Sequence, residues 1–125
     1  MKKILLLLFL VLLVALSIWL EKPDKIEVYE FDDRIMVNEE SLKTYTDPRI
    51  IQDFVESFKE AEEIKDGVDL VPPNYLVRIK DDFYSLWINE SGGMIMNYND
   101  THTYFSLSKN GARKIYNQLV LHSDE

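Results

Sequence analysis

The feature that most constrains this chain is its opening run. Ile4 to Leu20 is seventeen consecutive residues, apolar except for Ser17, and Lys2 and Lys3 precede it. As a helix rising ~1.5 Å per residue it is roughly 25 Å long, close to a hydrocarbon core of ~30 Å. A helix that is oily on every side has no place on a domain of about a hundred residues. The run therefore reads as a targeting or anchoring segment (1–21), and the fold is to be sought in 22–125.

Two fates fit the run. A signal peptidase cutting after Ser17, with Ala15 two residues before it, releases the remainder but leaves Ile18, Trp19 and Leu20 on the mature chain. An uncleaved anchor instead puts Trp19 at the membrane interface, with Glu21-Lys22-Pro23-Asp24 entering water. The paired lysines place the N-terminus in the cytoplasm and the domain outside. The anchor is the preferred expectation: a single-pass cell-membrane protein, secreted if the signal is cleaved.

Cysteine is absent. That removes disulfides, thiolate metal sites, a catalytic thiol and a lipid-bearing Cys together. From Lys22 onward 12 Lys and Arg face 21 Asp and Glu, a charge of about −9. Such a domain repels polyanions and shows no basic stripe, so nucleic acid is not an expected partner.

The outer domain alternates between the periods of strand and helix. "KIEVYEF" (Lys25 to Phe31) reads as a strand, with a hairpin turn at Asp32-Asp33 before "RIMV", and Glu39 to Thr46 reads as loop. Asp47 and Pro48 are a good N-cap and first helical residue. Behind them Ile50, Ile51, Phe54, Val55, Phe58 and Ala61 form one stripe, and Gly67 is placed to end the helix. "VDLVPPNY" is an extended linker, because two prolines stop both helix and ladder.

Strands then follow in quick succession: Tyr75 to Lys80, Phe83 to Asn89, Met94 to Tyr98 and Thr103 to Leu107. Polar turns at Asp81-Asp82, Glu90 to Gly93 and Asn99 to His102 separate them. Ser108 caps a last helix reaching about Leu121, weakened by Gly111 in its first turn. Short connections favour antiparallel pairing. The expected fold is α+β: an antiparallel sheet of four to six strands with two helices on one face, in the order strand, helix, meander, helix.

If helices cover one face, alternate residues look the other way. Tyr84, Leu86 and Ile88 suit the core, which turns Phe83 and Trp87 outward. Val77 and Ile79 leave Arg78 and Lys80 outside; Phe105 and Leu107 leave Tyr104 outside. The expected open face thus carries Trp87, Phe83, Tyr104, Arg78 and Lys80, the composition of a binding hot spot. Cover by the N-terminal strand, a loop or a second copy of the chain is the competing expectation.

Catalytic signatures are missing. Two histidines are too few for a metal cage, and the Asn97–His102 stretch lacks the alternating carboxylates of a Ca²⁺ loop; His122 sits near the terminus. No serine lies in a nucleophile elbow, no Gly-rich phosphate loop occurs, and Asp32/Asp33 and Asp81/Asp82 are adjacent turn residues that make poor acid/base pairs. The reading is not an enzyme, with no cofactor and no metal site. The expected partner is an envelope protein or peptide, the alternative a glycan or amphiphile over Trp87 and Phe83, with self-association left open.

The segments "PPNYLVRI", "YSLWI", "GGMIM" and "TYFSLS" resemble the YhfM-like family of small lipoprotein-like proteins from bacilli. The likeness covers Tyr75 to Val120 well and Lys25 to Gly67 in outline. It implies a bacterial envelope location and supplies no catalytic residue to carry over. The chain departs from that family in lacking the lipobox Cys, which excludes lipid anchoring by that route.

Overall fold

The structure, a computed structural model, describes residues 2–21, 23–32, 36–68 and 71–121. An N-terminal helix α1 (Lys2–Glu21) precedes a seven-stranded sheet that carries two packed helices. The side chains of α1 are described as far as Val14, and among the described residues no helix is long and apolar enough to cross a membrane. Trp19 and the Ala15/Ser17 pair, on which the anchor and cleavage expectations turn, have side chains outside the described set. Asp33 in the first expected turn, much of "RIMV", and His122 also lie outside the described residues.

The strands are β1 (Ile26–Phe31), β2 (Val37–Tyr45), β3 (Glu62–Glu63), β4 (Tyr75–Ile79), β5 (Asp82–Asn89), β6 (Gly92–Asn97) and β7 (Phe105–Ser106). Their order across the sheet is β2-β1-β4-β5-β6-β7-β3, and every pairing is antiparallel. The chain leaves β2 at one edge, crosses through helix α2 (Pro48–Lys59), and forms β3 at the opposite edge. It then returns through the Pro72-Pro73 segment to lay β4 beside β1. The meander β4-β5-β6-β7 fills the space back to β3.

The α+β class and the antiparallel sheet match the expectation, but the sheet has seven strands rather than four to six. The strands that differ lie at the edges, where polar sequence hides them: β3 was not expected, and β2 opens at Val37, the last residue of "RIMV" behind the expected hairpin turn, and runs on from there. β2 occupies the stretch read as loop: Asn38, Glu39, Glu40, Lys43 and Thr44 are exposed, as suits an edge that must not pair with another chain. Its register with β1 breaks between Val28 and Glu30, where the Glu30 N–H donates to Ser41 Oγ at 2.7 Å. β3 exists because α2 ends at Lys59, eight residues before Gly67. Glu62 and Glu63 then pair with Ser106 and Phe105, and the Ile64 N–H donates to the Tyr104 carbonyl at 2.8 Å.

Helix α2 starts as its sequence dictates. The Asp47 carboxylate accepts from the Arg49 N–H at 2.9 Å, and Pro48 is the first helical residue. Ser108 caps helix α3 (Lys109–Tyr116) through its hydroxyl, which accepts from the Gly111 N–H at 3.0 Å; a π-helical turn, Asn117–Leu121, continues it. Gly111 is not a weak point. A Cβ there would stand 2.9 Å from Ser57 Oγ and 3.0 Å from Ser57 Cβ, so the glycine lets α3 close against α2.

The core fills the space between those helices and one sheet face. Phe54 and Ile51 from α2 meet Ile115, Ala112 and Leu119 from the C-terminal helix over Ile26, Val28, Val77, Leu86, Ile88 and Ile95. An aromatic chain ties α2 across the sheet, with Tyr45–Phe54, Phe54–Phe58 and Phe58–Tyr84 centroids 6.0, 6.1 and 4.9 Å apart. Both packed helices lie on this side, and among the described residues no helix packs on the opposite face.

Candidate functional site

The helix-free face is set by strand register. Trp87 pairs with Met94, Ser85 with Met96 and Leu76, and Arg78 with Phe83 and Glu27. Each pair points away from the helices because its neighbours Leu86, Ile95 and Val77 point into the core.

Part of this face is covered from within the chain. The indole N–H of Trp87 donates to the Val71 carbonyl at 2.6 Å. Asn74 fixes the other end of the segment: its N–H donates to the Leu86 carbonyl at 2.9 Å, and its side-chain oxygen accepts from the Ile88 N–H at 2.8 Å. Its carbonyl accepts from the Phe31 N–H at 3.2 Å. Val71-Pro72-Pro73 is therefore a strap clamped at both ends, and the expectation of loop cover is met over one part of the face.

Beside the strap lies a groove of about 400 Å³. Ser85 and Met96 line it with Tyr98, Trp87 and Tyr104 on one side and Phe31 with the prolines on the other. Trp87 and Tyr104 meet edge to face at 6.0 Å and 65°. Ser85 is only 3% exposed, and its hydroxyl donates to Tyr98 Oη at 3.2 Å, so the buried polar atom is satisfied. Tyr98 remains 45% exposed above it. No charged residue lines this groove.

Of the five residues expected on the open face, the structure brings Trp87 and Tyr104 into the groove. Phe83 and Arg78 form a second cluster alongside: the guanidinium sits 5.5 Å over the Phe83 ring, and Phe83 reaches Tyr98 at 6.5 Å. Lys80 belongs to neither. It occupies the β4–β5 turn with φ 56°, exposed, and its carbonyl accepts from Arg78 Nε at 3.0 Å.

The Arg78 charge is partly offset by one carboxylate that it shares with Lys25. Glu27 approaches Arg78 Nη1 at 3.7 Å and Lys25 Nζ at 3.6 Å. Alternation already put Glu27 on this face, outward of Ile26 and Val28, and β1–β4 pairing puts it opposite Arg78. The sequence reading missed Phe31, Pro72, Pro73, Met96 and Tyr98. Met96 and Tyr98 were recoverable from the alternation with Ile95. The prolines were not, because a linker has no periodicity to place it.

On the far side of Phe31, Pro72 and Pro73 is a second depression of about 440 Å³, lined also by Glu30, Asp32, Asn74 and Tyr75. Glu30 and Asp32 bring two carboxylates to that lining. Burial raises the Tyr75 phenol above its ordinary range, and the Glu30 charge raises it further.

Among the described residues no group of three His, Asp or Glu is placed to hold a metal ion. The turn around His102 is instead an internal network. Asp100 accepts from Thr103 Oγ1 at 2.7 Å and from the His102 N–H at 3.4 Å.

A family model described as YhfM protein matches residues 25–123, a stretch that contains the whole sheet and both packed helices. The chain belongs to the YhfM family. No curated protein and no solved structure matches it. The YhfM domain thus comprises the helix-covered core and the strapped aromatic face together, and the apolar run Ile4 to Leu20 lies outside the match.

Proposed function

We propose that this chain is a membrane-tethered, extracytoplasmic interaction module that engages an envelope protein or peptide through the aromatic face of its sheet. The observation that carries the reading is the groove itself. Trp87, Tyr98, Tyr104 and Phe31 converge on a concave, uncharged surface on the side of the sheet that carries no helix. Large aromatic side chains with a polar tip are the residues that dominate protein recognition surfaces. The reading assigns no enzymatic activity.

The tether is argued from the sequence. The run Ile4 to Leu20 is long enough for most of a hydrocarbon core, and the large apolar side chains from Ile4 to Val14 are exposed rather than packed on the domain. Lys2 and Lys3 orient it with the domain outside. Intact mass of the membrane fraction tests this part: the full-length mass supports the tether, and a chain beginning at Ile18 overturns it.

The interaction is tested by placing a photo-crosslinking phenylalanine analogue at position 98 in cells and identifying adducts by mass spectrometry. One recurrent envelope protein is the expected result. Adducts only to a second copy of the chain, or none, overturn the reading. A second reading follows from the groove's size: about 400 Å³ falls in the range of small-molecule sites, which would suit a glycan or amphiphile.

A further inference from the structure

We propose that Val71-Pro72-Pro73 is a hinged cover: it pivots at Asn74, is latched by the Trp87 indole, and swings aside before a partner takes the strapped part of the face. This rests on the interaction reading above and names the regulation of that same site.

The two ends of the strap are held unequally. At Asn74 three hydrogen bonds tie backbone and side chain to the sheet, two to β5 at Leu86 and Ile88 and one to β1 at Phe31. At the other end the Trp87 indole holds the Val71 carbonyl at 2.6 Å. Among the described residues that is the one hydrogen bond made by Val71, Pro72 or Pro73. Burial adds little to it: Val71 is 64% exposed, and Pro72 is exposed as well. Local opening starts where backbone has few bonds and few apolar contacts, and Val71 meets both conditions.

The residue types make the strap move as one piece. Each proline ring fixes φ, and a residue before proline is restricted too, which covers both Val71 and Pro72. Such a segment gains little freedom by fraying one residue at a time. Breaking the Val71–Trp87 bond lets it turn at Pro73-Asn74, with the pairing of β4 and β5 intact. One neutral hydrogen bond shifts such an equilibrium only about fivefold, so the latch can release in the folded protein.

Opening changes what the face offers. Pro72 and Pro73 leave the groove they now wall, and the Trp87 indole N–H loses its acceptor. A partner's carbonyl or hydroxyl oxygen then replaces that of Val71, since a donor on an aromatic surface seeks one. The strap is thus a competitor built into the chain, and apparent affinity is scaled by the fraction of open molecules.

The test uses the full chain in lipid nanodiscs, isotope-labelled for NMR and carrying Trp19→Phe, so that Trp87 gives the one indole resonance. Hydrogen exchange is followed at that indole and at the Ile88 amide, which donates to Asn74 at the hinge. The indole is expected to be at least about tenfold less protected than Ile88, with no acceleration in dilute urea, because a local opening exposes little surface. Replacing both Pro72→Gly and Pro73→Gly frees the unlatched strap and raises the open population about tenfold. The same pair of changes should raise the yield of the adduct from position 98 in cells.

Indole and Ile88 exchange with equal protection and equal urea dependence would show that the strap opens only with the sheet, which overturns the hinge. A lower adduct yield from the glycine pair, with unchanged circular dichroism, would show that the prolines hold the partner rather than exclude it, which overturns the cover. A hinge seen in exchange, with no adduct from either chain, removes the interaction reading and the regulatory role with it.

Discussion

The indole nitrogen of Trp87 lies 2.6 Å from the carbonyl oxygen of Val71, sixteen residues away in sequence. That bond joins the middle of the sheet to the segment that returns the chain from the β3 edge to β4. Pro72 and Pro73 have no N–H to contribute to a ladder. The strap is instead held by side-chain bonds, from Trp87 at one end and Asn74 at the other. The same tryptophan thus positions a wall of the groove and lines it.

Trp87→Phe keeps an aromatic ring on the face and deletes the donor. Loss of one hydrogen bond of this kind costs about 1 kcal/mol, read as a lower urea midpoint. More specifically, limited proteolysis on the N-terminal side of Val71 accelerates, because one clamp of the strap is gone. Unchanged cleavage would mean that Asn74 alone holds the segment.

Gly93 marks a close approach in the core. A Cβ at this position would lie 2.7 Å from Ile88 Cδ1, 2.8 Å from Leu107 Cδ1 and 3.1 Å from the Trp87 carbonyl. Ile88 and Leu107 are both buried, so neither methyl has open space to move into. Gly93→Ala destabilises by about 1–3 kcal/mol through overpacking. Combined with Ile88→Val, which removes the nearest methyl, the loss is smaller than the sum of the two single changes. A double-mutant cycle from urea denaturation checks this, and strict additivity would show that the clash is relieved elsewhere.

What the sequence made legible follows from where periodicity and caps are strong. Asp47-Pro48 and Ser108 mark helix starts by local hydrogen bonding, and both caps form. Leu86, Ile88, Val77 and Ile95 alternate clearly because one face of their strands is buried, and that alternation also turned Trp87 and Tyr104 onto the opposite face. β3, and β2 beyond Val37, were invisible for the converse reason. An edge strand buries little, so "VNEESLKTY" and Glu62-Glu63 carry solubility rather than period. Two features of the site depend on contacts distant in sequence: Glu27 against Arg78, and the Val71 carbonyl at the indole N–H of Trp87. No local pattern contains them.

Lys80 is the first residue of the two-residue turn joining Ile79 to Asp82, and its φ is 56°. A side chain in this left-handed region costs about 1–2 kcal/mol, which glycine avoids. Glycine also gives up more freedom on folding, about 0.5–1 kcal/mol. Lys80→Gly is therefore expected to stabilise the protein by up to about 1 kcal/mol. The Arg78 contact survives, because it is made to the Lys80 backbone carbonyl. Thermal unfolding decides it: a lower midpoint would show that the lysine side chain contributes more than its backbone strain costs.

Three tyrosines make stability sensitive to alkali. Burial raises the Tyr45, Tyr75 and Tyr84 phenols above their ordinary value of 10.0, and for Tyr75 the charge of Glu30 adds to burial. A phenol held neutral in the fold but ionised more readily in the unfolded chain binds more protons when folded. Stability from this source is therefore complete below about pH 10 and falls as pH rises through the raised values. The unfolding free energy should decline above about pH 10. Tyr75→Phe should make that decline shallower, because one of the three linked protons is removed. Glu30→Gln should lower the pH at which the Tyr75 phenolate absorbance appears, since the charge that opposes ionisation is gone. If Glu30→Gln leaves that titration unmoved, the Glu30 charge does not act on Tyr75 and burial is the main cause of the raised value.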